Sequence, residues 1–233
     1  MTLSRSLFAT AAAVALSALS FAPAFAQETA TPAPAQAPAG EAAAASAASD
    51  QLPEGKVLPD IVLGKEDAPV TMIEYASFTC SHCRDFHNEN FAKLKSEYID
   101  TGKVKFIQRD VYFDAVGLWA GVLARCGGDD KYYAVSDMLF EEQQTWLAAK
   151  TGDEIAANLR KIGAKAGMTP EQLDACWADK QTVANLVTTF QKNAGDDKIE
   201  GTPTFIIAGE KVNNQPWEGL KKVLDDKIAA AGK

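Results

Sequence analysis

An α/β fold with a mixed β-sheet, interrupted by an inserted helical subdomain, follows from three changes of hydrophobic period along the 233-residue sequence. A strand–helix–strand unit occupies residues 70–107, a helical stretch spans 115–195, and strand-like residues return at 204–212 before a closing helix. Side chains repeat every two residues along a strand and every 3.6 along a helix, so each switch marks a change of element type.

Residues 1–26 have the form of an export signal: Arg5, an apolar run from Leu7 to Phe21, then the small-x-small pattern Ala24-Phe25-Ala26. The run is short for a bilayer span and diluted with Ala and Ser. Cleavage before Gln27 and no direct membrane anchoring are therefore expected. Residues 27–53 are rich in Ala, Pro, Glu and Gln and lack aromatic residues. They bury too little apolar area to offset a backbone ordering cost of roughly 1–2 kcal/mol per residue. This segment reads as a tether, within which an Ala-rich helix over 41–49 is the one candidate oligomerisation element. The formal net charge is −8, and loss of residues 1–26 removes one basic residue, Arg5, and no acidic one. An acidic surface without a block of Lys or Arg argues against nucleic-acid partners and anionic membrane surfaces.

From residue 54 the folded part begins. Val70-Thr71-Met72-Ile73-Glu74-Tyr75 is β-branched and aromatic, follows Ala68-Pro69, and reads as a buried strand. Over Ser81–Ile99 the spacing of Phe91, Leu94 and Tyr98 predicts an amphipathic helix. Gly102 interrupts it, and Val104-Lys105-Phe106-Ile107 starts a second strand, giving residues 54–114 as the first part of the sheet domain. Residues 115–198 read as the helical insertion: Leu118, Val122 and Cys126 share a face, helices follow at 132–140 and 154–166, and Thr169-Pro170 is a start signal. A further helix carries Val183, Leu186, Val187 and Phe190. Residues 199–233 complete the sheet domain, with a strand at 204–208, a turn at Gly209-Glu210, a partner strand from Lys211, and a helix displaying Trp217, Leu220, Leu224 and Ile228.

Cys80 and Cys83 stand two residues apart where the first strand gives way to the helix. There the first cysteine meets unsatisfied backbone N–H groups and the positive end of the helix dipole, which favour its thiolate. Cys80 is thus the expected nucleophile and Cys83, one turn in, the resolving sulfur. His82 is expected to assist, either as an imidazolium or as a hydrogen-bond donor to the Cys80 sulfur. A zinc site would need more ligands, and the only histidines are His82, between the cysteines, and His87, which a helical turn would carry along the surface. No metal or cofactor is expected. Cys126 and Cys176 fall inside the helical insertion, where an oxidising compartment favours a structural disulfide over two free thiols. Its closed loop of about 50 residues corresponds to roughly 4 kcal/mol of chain entropy. Spacing alone leaves both arrangements open.

Gly201-Thr202-Pro203-Thr204-Phe205 precedes the returning strand, and X–Pro bonds favour trans by only about 0.5–1 kcal/mol. An exchange site needs an exposed backbone edge for a substrate strand, which Thr202 and Pro203 can supply. Together with Glu74-Tyr75-Ala76-Ser77-Phe78-Thr79-Cys80-Ser81-His82-Cys83 and the long insertion between them, this segment resembles the DsbA-like thioredoxin family of secreted bacterial proteins over residues 57–230, in particular the branch with a second cysteine pair. The resemblance implies a thioredoxin fold, a cis Pro203 against the redox pair, Thr202 contacting substrate backbone, and a Cys126–Cys176 bond. Two positions depart from the commonest pattern: Ser81 replaces Pro and so retains its N–H, and Thr202 replaces Val and adds a hydroxyl near the sulfurs.

The expected function is thiol:disulfide exchange that introduces disulfides into cysteine-containing exported polypeptides in the periplasm. The resemblance implies recycling by a membrane quinone-linked oxidase, and a monomer is expected. A disulfide isomerase or reductase is the alternative within catalysis, and a peptide-binding or chaperone-like module the alternative outside it. Phe78 is the aromatic residue expected to touch substrate, with Phe86 beside it as a groove-lining candidate.

Overall fold

The structure, a computed structural model, describes residues 52–232. The expected signal segment 1–26 and all but the last two residues of the expected tether lie outside the described residues. Five strands form one sheet in the order β1-β3-β2-β4-β5: β1 is Val62–Leu63, β2 Val70–Ala76, β3 Val104–Asp110, β4 Thr204–Ile207 and β5 Glu210–Asn213. β2 runs parallel to β3 and antiparallel to β4; the β1–β3 and β4–β5 pairs are antiparallel. The sheet is therefore mixed, as the alternation of a helical crossover with a hairpin requires. β1 has only two residues, too few to show a period, and the sequence reading passes over it.

The helix after β2 is less regular than the sequence predicts. α1, Ser81–Phe86, runs into a π-helical turn at His87–Phe91, then α2, Ala92–Leu94, then a second π-helical turn at Lys95–Ile99. Each wider turn shifts the phase of the apolar stripe, which keeps Phe91, Leu94, Tyr98 and Ile99 buried. These side chains pack with Val70, Met72, Phe106 and Phe205 of the sheet and with Leu220 and Leu224 of α9, Trp217–Ala231. The hairpin also differs slightly from expectation. Ala208 and Gly209 are the two turn residues, at φ 50° and 81°, so β4 ends at Ile207 and Glu210 already pairs with it. Two consecutive positive φ angles give the twist that a two-residue hairpin turn needs.

Between β3 and β4 the chain forms α3, Ala115–Cys126; α4, Asp129–Glu141; α5, Gln143–Leu147; α6, Gly152–Lys165; α7, Pro170–Ala178; and α8, Lys180–Asp196. Their starts follow capping chemistry: the Asp114 carboxylate accepts from the Gly117 N–H, and Thr151 and Thr169 each form a reciprocal capping box. Leu123, Val135, Leu139, Phe140, Trp146 and Leu159 make the centre of a second apolar cluster, which also contains Ala76, Phe78 and Cys83. The loop that carries the cysteine pair is thus packed into the helical layer while its flanking strand belongs to the sheet. Cys126, at the end of α3, is disulfide-bonded to Cys176 in α7 with a Cα–Cα distance of 5.8 Å. Asp110, at the end of β3, is buried and accepts hydrogen bonds from Gln108 and from Tyr132 of α4, joining sheet to insertion.

Among the described residues no helix is long and apolar enough to cross a membrane.

Candidate active site

Cys80 is the N-cap of α1 and has extended backbone angles, while its carbonyl already accepts the Arg84 N–H. That geometry leaves the N–H groups of the first helical turn directed back toward the cap residue. Both cysteines are free thiols, Cys80 partly exposed and Cys83 buried.

The acidity of the pair is split by these surroundings. The Cys83 thiol, as hydrogen-bond donor to the Cys80 sulfur, contributes most to lowering the Cys80 pKa from 9.0 to about 5. Partial burial opposes the shift, and the Thr202 side chain and the backbone N–H groups of Cys83 and His82 reinforce it. Burial pushes the Cys83 thiol the other way, well above its ordinary value, and the neighbouring Cys80 sulfur and the Glu74 carboxylate add to the rise. Cys80 is therefore the sulfur that carries charge at neutral pH, and Cys83 keeps its proton.

Thr202 and Pro203 meet the pair from the other end of the chain. The Thr202–Pro203 peptide bond is cis, Pro203 is buried, and the Cys80 thiol donates to the Thr202 carbonyl at 3.4 Å. The Thr202 hydroxyl is buried and has no other hydrogen-bond partner among the described residues, which frees it to donate to the sulfur once Cys80 ionises. Thr202 and Pro203 also line an open groove of about 330 Å³ with Glu200, Lys211 and Asn213. β4 leads away from this groove, so the Gly201–Pro203 backbone is the edge next to the Cys80 sulfur.

His82 and Phe78 stand differently from expectation. His82 is exposed, and its contribution to the sulfur is the backbone N–H of the first helical turn rather than the ring. Phe78 is 1% exposed and its ring lies 5.0 Å from that of Phe140, so it underlies the motif and offers no side-chain surface to a substrate. Phe86, 3% exposed and packed against Phe205, is likewise a core residue. The cause is the same for both: each points into one of the two apolar clusters between which the loop is held.

Two further residues escaped the sequence reading. Gln143, buried at the start of α5, donates through Nε2 to the carbonyls of Phe78 at 2.8 Å and Cys80 at 2.9 Å, fixing the active loop from the helical side. No local pattern marks a glutamine for this task. His87, expected on the surface, is instead 8% exposed, with Nε2 2.9 Å from Oε2 of the fully buried Glu74. A signal for it was present. His87 follows Cys83 by four residues and precedes Phe91 by four, which puts it on the buried helix face. Glu74 alternates with Val70 and Met72 on one face of a buried strand, where a carboxylate requires a partner.

Comparison with known proteins agrees with this geometry. Residues 56–226 match a family model described as thioredoxin. A Rickettsia bellii relative, provisionally named a protein-disulfide oxidoreductase, is 30% identical over 170 residues, covering 72% of this chain and 64% of the relative. The chain thus spans somewhat less than two thirds of that relative's length. The disulfide bond formation protein D of Bacillus subtilis is 28% identical over 72% of this chain and 76% of its own length. Among solved structures, α-DsbA1 of Wolbachia pipientis superimposes with a TM-score of 0.68 at 28% identity, covering 76% of this chain and 94% of that one. Oxidised BdbD of Bacillus subtilis, at 24% identity and a TM-score of 0.65, shares the fold.

Proposed function

The chain belongs to the thioredoxin family, in its DsbA-like branch, and from that premise we propose that it is a thiol:disulfide oxidoreductase that donates the Cys80–Cys83 disulfide to exported proteins. The observation that carries this reading is the asymmetry of the pair: a partly exposed sulfur with a pKa lowered to about 5 beside a buried sulfur that stays protonated.

A substrate thiolate attacks Sγ of Cys80, a new intermolecular S–S bond forms, and the Cys80–Cys83 bond breaks with its electron pair going to Cys83. The second substrate thiolate then attacks the substrate sulfur of the mixed disulfide and expels Cys80. A sulfur stabilised as an anion is a good leaving group, so this last step is favoured and the reduced enzyme is the lower-energy product. The groove beside Thr202 and Pro203 receives substrate backbone, and the Thr202 hydroxyl supports the departing thiolate. Ser81, in place of proline, leaves one more N–H in the loop.

Taking residues 1–26 as an export signal and 27–53 as a tether ahead of the folded domain assigns the protein to the periplasm, as a monomer. Reoxidation then falls to a disulfide-bearing partner of the quinone-linked membrane class. An isomerase or reductase would instead have to be held reduced, which the stabilised Cys80 thiolate by itself permits; the redox potential decides between them. Equilibration with glutathione buffers, with the thiols of Cys80 and Cys83 trapped by alkylation, gives that potential. The oxidase reading expects a value well above the roughly −270 mV of thioredoxin. A value at or below that figure contradicts it.

A further inference from the structure

The helical insertion carries an apolar slot that the exchange chemistry above does not use. Leu118 and Trp119 of α3, Ala156 and Arg160 of α6, Trp177 of α7 and Val183 of α8 line an open cavity of about 280 Å³. None of the six is fully buried, so apolar side chains face water where four helices meet. A concave apolar surface with a single polar group on its wall has the make-up of a small-molecule site. Its two indoles are fixed before any ligand arrives. Trp177 donates through Nε1 to the Trp119 carbonyl at 3.1 Å, and the Arg160 guanidinium lies over the Trp177 ring, 5.1 Å from its centre. Trp119 reaches across to the first residue of α6, where a Cβ on Gly152 would stand 3.3 Å from Cη2 of the indole. The Cys126–Cys176 bond, next to Trp177 in sequence, ties α3 to α7. Walls held in this way lose little freedom on taking up a ligand, which lowers the cost of binding.

We propose that this slot binds small monocarboxylates with an apolar body, the body lying against the two indoles and the carboxylate on Arg160. Among the described residues that line the slot, Arg160 is the one that carries charge. Its Nη2 is bonded to Asp174, an exposed carboxylate outside the lining. A guanidinium has five N–H donors, so one neighbour does not exhaust it, and a ligand carboxylate shares the cation with Asp174 or takes its place. A planar cation that can grip a carboxylate through two N–H groups, set on the wall of an apolar slot, favours this class over a neutral molecule of the same shape. The slot shares no lining residue with the groove at Thr202 and Pro203, so ligand binding here is separable from thiol exchange.

The test is a titration of the full chain, with the Cys126–Cys176 bond intact, by octanoate and by 1-octanol at neutral pH, followed through tryptophan emission. Octanoate is expected to give a saturable change, and 1-octanol, of the same length without the charge, to bind about tenfold more weakly. Arg160→Gln should weaken octanoate by about the same tenfold factor and leave 1-octanol where it is. Ala156→Phe, which fills the slot, should remove the response to both. Asp174→Asn, changed at an exposed position, frees the guanidinium from its competitor and should tighten octanoate roughly threefold. That last variant decides the matter if Arg160→Gln disturbs the fold. The proposal is overturned if octanoate gives no saturable change, if 1-octanol binds as tightly, if folded Arg160→Gln binds octanoate like wild type, or if Asp174→Asn binds it no better.

Discussion

The Cys80 sulfur lies 3.4 Å from the carbonyl oxygen of Thr202, across 122 residues of sequence. The contact joins the end of one strand, the mouth of a helix and the start of another strand, with the helical insertion closing the remaining side through Gln143. What each neighbour gives the sulfur can be measured by removing it.

Thr202→Val removes the hydroxyl and keeps the shape of the side chain. The thiolate loses one donor, while the Cys83 thiol and the backbone N–H groups remain. The pH of half-maximal Cys80 alkylation should rise by about one, the equivalent of one modest hydrogen bond to an anion. An unchanged profile would mean that this hydroxyl points elsewhere when Cys80 ionises.

His82→Ala removes an exposed ring and leaves the backbone N–H that reaches the sulfur. The titration of Cys80 should move by only a few tenths, less than in Thr202→Val. A larger displacement, measured by thiolate absorbance, would return the imidazole to the centre of the account.

Gln143→Leu deprives the Phe78 and Cys80 carbonyls of a buried donor. Denaturant unfolding should show a loss of about 1–3 kcal/mol, the usual penalty for stranding buried polar groups. Equal midpoints for variant and wild type would show that water or a shifted loop replaces the amide without cost.

The chain carries its fold openly where one side-chain period suffices. β2, the hairpin at 204–213 and the capped start at Thr169 each follow from a local pattern. β1 is too short to have a period, and the π-helical turns after Phe86 depend on packing against the sheet, which no spacing rule encodes. The same holds at the site. Cys80, Cys83, Thr202 and Pro203 stand in motifs that name themselves by sequence. Gln143 acts through a backbone contact 63 residues away. A polar residue such as His87 reads as surface, yet its spacing from Cys83 and Phe91 turns it inward. Phe78 borders the motif and so reads as a substrate contact, whereas the loop has an inner face that belongs to the core.

Ionisation of Cys80 also ties stability to pH. Its folded-state pKa is depressed, so the stabilisation of the reduced protein is complete above the ordinary value of 9.0 and is lost as pH falls through about 5. Cys83 titrates above the ordinary value and contributes no slope within that window. Reduced wild type should therefore lose stability relative to Cys80→Ser on going from pH 8 to pH 5 in urea unfolding. Parallel curves for the two proteins would contradict this linkage.

The most direct measurement is the rate of iodoacetamide alkylation of Cys80 in the reduced protein as a function of pH. A thiolate held by the first turn of α1, the Cys83 thiol and Thr202 predicts a half-maximal rate near pH 5. A midpoint near the ordinary value of 9.0 would contradict the account.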